Sequence, residues 1–249
     1  MQRDSFIHLL SMNKSQTIAA NGEQDDGYSN YLTLEWELFE RNPSRRAALL
    51  KATEGLEVKR VLDVGCGAGQ EMLPFVERGA QGVGIDQNRA AGEFGREIFE
   101  RLAPLRQVEF VRACGTELPF LDNSFDVVIC RVALMYMDNK AAFGEVRRVL
   151  RQPGIFLLKY HAPAYYWIKL RDGLKSGHFK SSIHATRVLL AGYYYYFTGR
   201  QLFNLITAGG EIFQTKRTLQ RELAAIGMKI DSEMANTNNI TPSVVIIRG

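Results

Sequence analysis

Val61-Leu62-Asp63-Val64-Gly65-Cys66-Gly67-Ala68-Gly69 reads as an apolar strand running into three glycines. Residues 70–78 behind it read as a helix, stopped by Gly79. Strand, glycine turn and helix together are the opening unit of a parallel α/β sheet. Glycine tolerates positive φ and lets a ligand lie against bare backbone. A dinucleotide fingerprint would read G-x-G-x-x-G. Here the third glycine comes one residue early, and Gln70 fills the expected position. Asp63 stands two residues before the first glycine. A carboxylate there would repel a pyrophosphate but attract the ammonium of an amino-acid-bearing ligand. The loop therefore favours a cationic cofactor over a phosphate-bearing one.

Working outward, strands and helices alternate. Strands are expected at 59–64, 82–85, 108–112, 125–130 and 155–160. The fourth is continuously apolar, as a strand buried on both faces must be. Helices are expected from Asn88, a capping residue, to Leu102, and over 140–150. Gln152-Pro153-Gly154 is read as the turn before the fifth strand. Beyond it the regularity breaks. Residues 161–210 hold two or three helical stretches and a cluster of aromatics, after which a helix at 215–226 and strands at 228–232 and 243–247 follow. Ahead of the sheet, 31–39 and 44–53 look helical, and 13–27 is polar and expected to lack fixed structure. The expected architecture is a Rossmann-like, doubly wound, mostly parallel seven-stranded α/β sheet with helices on both faces. A helical N-terminal cap (1–57) precedes the domain at 58–249, and a helical insert (161–210) follows the fifth strand.

The chain has 249 residues and a net charge of +4, ordinary for a globular domain and too mild to imply nucleic acid. No apolar run is long enough to span a bilayer, and Met1 to Asn21 has neither the apolar core nor the cleavage site of a secretory signal. A cytoplasmic location is expected. Cys66, Cys114 and Cys130 are odd in number and widely spaced, which argues against a zinc site or a disulfide framework. No His has a partner at metal-ligand spacing, so no metal is expected. Residues 161–229 carry ten Lys and Arg against three acids. A solvated face is the expected reading of this excess, ahead of an anionic acceptor or a membrane surface.

Asp86 closes the second strand, where a carboxylate can accept hydrogen bonds from both hydroxyls of a ribose. With the loop, this resembles motif I and its sequel in class I S-adenosylmethionine (SAM)-dependent methyltransferases. Further matches are Gly82-Val83-Gly84-Ile85-Asp86, the block from Glu117 to Val128, and the block from Glu145 to Gly154. The last two are similar to the branch that includes ubiquinone and menaquinone methyltransferases. The resemblance is good over 58–160 and loose over 215–249. It implies SAM as cofactor. Asp63, Gly65 and Gly67 would meet its methionine portion, with Cys66 in the same loop. Asp86 would hold the ribose, Gln87 would lie beside the adenine, and the stretch with Cys114 and Gly115 would edge the ring. Many relatives carry Asp where Cys114 stands, and a thiol is a poor acceptor, so weaker adenine recognition is expected. Arg131, after the fourth strand, would sit near the cofactor carboxylate or the acceptor.

The sulfonium of SAM carries its own activation, so methyl transfer chiefly needs an in-line nucleophile. His161, directly after the fifth strand, is the candidate base or acceptor contact; Tyr160 and Tyr136 stand at similar edges. The acceptor is expected to be a small molecule, aromatic or lipophilic, methylated on oxygen or carbon. Core packing with amphipathic tips accounts for about half of the insert's aromatics, Tyr193 to Tyr196 among them; an acceptor pocket or lid is the sharper reading, with a membrane-surface patch or a homodimer interface as alternatives. A SAM-binding regulatory protein without turnover, a nucleotide-linked oxidoreductase and an RNA methyltransferase are the competing readings. Asp63 and the glycine spacing oppose the second, and the absence of an RNA-binding module opposes the third.

Overall fold

The structure, a computed structural model, describes residues 23–102, 107–202 and 210–249, with side chains from residue 27 onward. Seven strands form one sheet in the order β3-β2-β1-β4-β5-β7-β6. They are β1 (Arg60–Val64), β2 (Gln81–Asp86), β3 (Val108–Arg112), β4 (Phe125–Arg131), β5 (Leu150–Lys159), β6 (Met228–Glu233) and β7 (Ser243–Arg248). The first five are parallel, and β7 runs antiparallel between β5 and β6. Chain order reverses between β1 and β4. The carboxyl ends of strands at such a switch point are where open α/β sheets hold ligands.

Helices cover both faces. On one lie α1 (Glu23–Glu40), α2 (Pro43–Ala52), α3 (Leu73–Val76) and α4 (Arg89–Leu102). Their buried residues Leu32, Trp36, Phe39, Leu49, Phe75, Phe94 and Ile98 pack with Val61, Val127, Ile129 and Leu157 of the sheet. Trp36 meets Phe99 edge-on at 5.9 Å, fixing α1 against α4. On the other face α5 (Asn139–Val149) and α8 (Lys216–Ala224) bury Phe143, Val146, Leu219 and Leu223 against Leu62, Val128, Phe156 and Leu158. Successive strand residues point to opposite faces, so Leu157 and Leu158 fall into different cores. Between β5 and α8 stand α6 (Pro163–Lys175) and α7 (Phe179–Thr198), which share a small core of Tyr166, Val188, Leu189 and Phe213.

Four expectations shift. The helix expected over 70–78 is a 3-10 turn, Gln70–Met72, followed by the single turn α3. Pro74 lacks an N–H and fits only a first helical turn, so the segment restarts there. The fifth strand begins at Leu150, where Leu150 pairs with Phe125 before the register shifts; the Gln152-Pro153-Gly154 stretch is an irregularity within β5. Helix α5 accordingly ends at Val149. Finally, α1 begins at Glu23, inside the stretch expected to be unstructured; residues 13–22 of that stretch lie outside the described residues. Asn42 caps α2, its side chain accepting from the Arg45 N–H at 3.2 Å. Thr215 and Thr218 form a reciprocal cap on α8.

Candidate active site

The carboxyl ends of β1, β2, β4 and β5 open into a cavity of about 790 Å³, roofed by α1 through Tyr28, Tyr31, Leu32 and Glu35. Gly65 starts the turn after β1 at φ +69°, and a Cβ there would collide with that of Ala133. The close approach of that turn to the β4 end therefore requires glycine. The backbone N–H groups of Gly65 and Cys66 both donate to Ile85 O, at 2.9 Å each. The Gly67 N–H donates to Asp86 Oδ2 at 3.1 Å, and the Asn88 N–H to Asp86 Oδ1 at 2.9 Å. Asp86 is thereby aimed across the glycine loop. A carboxylate oxygen has a second lone pair, so both remain able to accept from a diol. Burial and the neighbouring Asp86 push the phenol of Tyr28 well above its ordinary pKa. It stays protonated, a donor beside that carboxylate.

Asp63 forms the floor. It is 1% exposed, and its Oδ2 is buried without a partner among the described residues. Burial and the neighbouring Glu71 raise its carboxyl well above the carboxylate range. An isolated buried carboxylate is costly unless a cation meets it. Beside it lies a four-membered charge cluster. Glu71 accepts from Arg45 Nε at 2.7 Å and from Arg131 Nε at 3.0 Å. Glu35 stands 3.5 Å from Arg45 and 4.0 Å from Arg131. Lys159 completes the wall, its Nζ donating to Ser243 Oγ at 3.2 Å. Burial, then the positive charges of Arg131 and Arg45, pull its pKa down to about 8.

At the far end His161 stacks on Tyr165, centroids 3.7 Å apart. Its Nδ1 lies 3.4 Å from the Tyr166 hydroxyl, and that hydroxyl lies 2.8 Å from Glu211 Oε1. A phenol has one proton. Given to the carboxylate, it leaves the phenol oxygen to accept from an Nδ1–H, and Nε2 then keeps the lone pair. Burial, followed by Lys169, Lys159 and Arg131, lowers the His161 pKa to about 4, so the ring is neutral at physiological pH. Val132, in the same wall, has φ +56°, a left-handed conformation that a β-branched residue rarely adopts and that tends to mark functional sites.

Asp63, Gly65, Cys66, Gly67, Asp86, Gln87, Gly115, Arg131 and His161 all line this one cavity. Cys114 does not. Its sulfur lies 3.0 Å from Gln87 Nε2 and 2.9 Å from Thr116 Oγ1. Its influence on a ligand would run through Gln87. Of the other candidates, Tyr136 lines the cavity, whereas Tyr160 faces the opposite core. Arg45, Glu35, Glu71 and Lys159 escaped the sequence reading. Only Glu71 carried any signal, as a charged residue directly behind the glycine loop; the others are marked solely by burial.

Fold and site together resemble those of class I, SAM-dependent methyltransferases. Residues 62–158 match the family model described as a methyltransferase domain. An uncharacterized methyltransferase of Bacillus subtilis is 36% identical over 114 residues, 45% of this chain and 45% of that protein. The demethylmenaquinone methyltransferase of Clavibacter sepedonicus is 33% identical over 120 residues, 47% of this chain and 48% of that protein. The chain thus spans about half the length of the curated relatives it matches. Among solved structures, magnesium protoporphyrin IX methyltransferase of Synechocystis with bound S-adenosylhomocysteine (SAH) superposes with a TM-score of 0.58. It is 17% identical and covers 99% of this chain and 98% of its own, a likeness of fold.

Proposed function

We propose that the chain transfers the methyl group of SAM to a small acceptor with an aromatic or lipophilic body that gives up a proton, from a hydroxyl or an acidic carbon. The observation that carries the cofactor half is the orphaned Oδ2 of Asp63, set at the floor of a cavity that Gly65, Gly67 and Asp86 also border. An ammonium is what such an oxygen lacks. Asp63, with Glu71 behind it, would hold the methionine amino group, and Arg131 or Arg45 its carboxylate. Asp86 would hold the ribose hydroxyls. Gly115, which lines the cavity beside Gln87, would lie against the adenine. When bound, SAM supplies a methyl on a sulfonium, activated without help from the protein.

The acceptor half rests on the other end of the cavity. Tyr31, Tyr136, Tyr165 and Met135 give it flat, apolar walls, and the demethylmenaquinone relative supports a ring-bearing acceptor. The volume suits two small molecules side by side, since single-ligand sites start near about 300 Å³. Neutral His161 is placed to take the acceptor's proton, with Tyr166 and Glu211 fixing which ring nitrogen carries hydrogen.

Calorimetry tests the cofactor half. SAM and SAH bind, NAD does not, and Asp86→Ala weakens SAH binding by about 1–3 kcal/mol through loss of charge-assisted hydrogen bonds. NAD binding without SAM binding ends this reading. For the acceptor half, labelled SAM is offered with a panel of phenols, quinols and fatty acids. His161→Ala lowers turnover on the best acceptor about 10²–10⁴-fold at unchanged SAH affinity, and Tyr166→Phe lowers it less. A pKa near 4 means wild-type turnover shows no acid limb from His161 until pH falls below about 5. Full turnover in His161→Ala removes the base from this position.

A further inference from the structure

Helix α7 is apolar on two sides. One side packs inward through Val188, Leu189, Ala191 and Tyr195. The other presents Phe179, Ile183, Leu190, Tyr194 and Phe197 to solvent, with Leu190 66% and Phe197 78% exposed. At 3.6 residues per turn these five fall within an arc of about 60°, a straight ridge along the whole helix. Helix α6, packed beside it, adds exposed Trp167 and Leu174. Soluble surfaces carry scattered apolar side chains, but so many large ones aligned along one helix, broken only around exposed Thr186, mark an interaction site. We propose that the α6–α7 hairpin is a docking surface for an anionic lipid bilayer.

Charge selects that occupant. Residues 163–198 contain Lys169, Arg171, Lys175, Lys180 and Arg187 against one acid, Asp172, itself 2.9 Å from Arg171. Lys180 lies on the edge of the α7 ridge, one residue from Phe179. A second copy would bring the same cations face to face, and like charges oppose that contact. An anionic headgroup layer neutralises them while the ridge enters the acyl boundary, which is how interfacial helices hold to membranes. The aromatics suit the same depth. Trp167 Nε1 donates to the Tyr193 hydroxyl at 3.3 Å, keeping the polar tips of both at one level, as rings at a headgroup boundary do. No helix among the described residues is long and apolar enough to cross a membrane, so the hairpin lies on the surface rather than through it. Helix α6 also supplies Tyr165 to the acceptor end of the cavity. If the proposed acceptor is lipophilic, docking puts that end beside its source; the docking itself does not depend on that reading.

Vesicle sedimentation tests it. The full chain pellets with vesicles of equimolar phosphatidylglycerol and phosphatidylcholine, less so in high salt, and stays in the supernatant with phosphatidylcholine alone. The double variant Leu190→Ser, Phe197→Ser loses at least about tenfold in binding, and Lys175→Glu, Lys180→Glu loses binding to the anionic vesicles. These side chains are exposed, so melting temperature and SAH affinity stay at wild-type values and report on folding. The proposal is overturned if the chain ignores anionic vesicles, or if the serine variant binds them as wild type does. It is also overturned if light scattering shows a wild-type dimer that the serine variant dissolves, because the ridge then joins two copies.

Discussion

Gly65→Val abolishes SAH binding, lowering affinity at least about 100-fold, because two effects act at one atom. Residue 65 holds φ +69°, a conformation that costs an L-residue about 1–2 kcal/mol and a β-branched one more. The added Cβ would also strike Ala133, at the end of β4, and the loop can yield only by moving into the cavity. Gly55→Ala is the control that separates these effects. Gly55 has φ +82° with nothing within 4 Å of the would-be Cβ, so alanine there brings strain alone. It destabilises by about 1 kcal/mol and leaves SAH affinity intact. Paired calorimetry and thermal melts read the difference. Wild-type affinity in a folded Gly65→Val chain would place the cofactor away from this loop.

That loop was legible in the sequence because its requirements are local. Positive φ demands glycine, a buried parallel strand demands an apolar run, and one carboxylate before the turn separates an ammonium from a pyrophosphate. Asp63, Gly65, Gly67 and Asp86 could each be named from neighbours a few residues away. The boundaries of β5 could not. Gln152-Pro153-Gly154 has turn chemistry, yet pairing with β4 starts before it, at Leu150, and pairing with a distant strand leaves no local mark. The charge cluster was invisible for the same reason. Arg45 sits on α2 with unremarkable neighbours, and only the fold brings it to Glu71, 26 residues away. Cys114 shows the opposite failure. Its position in the chain suggested the adenine edge, but its sulfur is engaged by Gln87 and Thr116, outside the cavity lining. The insert's basic excess was legible as composition, but the line of exposed apolar residues that α7 sets among those cations appears only in the fold.

Asp63→Asn raises the stability of the ligand-free chain and weakens SAM binding, an opposition of sign that a purely structural residue would not produce. Wild-type Asp63 is buried with Oδ2 unpartnered among the described residues, and the desolvated carboxyl has its pKa raised well above the carboxylate range. A group protonated more readily folded than unfolded binds more protons in the folded state between its two pKa values. Its contribution to stability therefore falls as pH rises from about 4, the unfolded value, through the raised folded value. Above that raised value the folded chain bears the cost in full. Asparagine has nearly the same shape and no charge, so the cost disappears, the melting temperature rises by a few degrees, and its fall with pH across that window flattens. Binding responds in the other direction. The cationic methionine end of SAM restores a partner to the carboxylate, and a charge-assisted hydrogen bond is worth about 1.5–3 kcal/mol, so Asp63→Asn weakens SAM by roughly 10- to 100-fold. Wild-type binding also releases protons at pH values where the free carboxyl is still protonated, because the ammonium draws its pKa down; the asparagine variant releases none from this position. Calorimetry in two buffers of different ionisation enthalpy measures that release directly. An Asp63→Asn chain that binds SAM as tightly as wild type, with the same proton count, would show that the orphaned oxygen does not meet the ammonium.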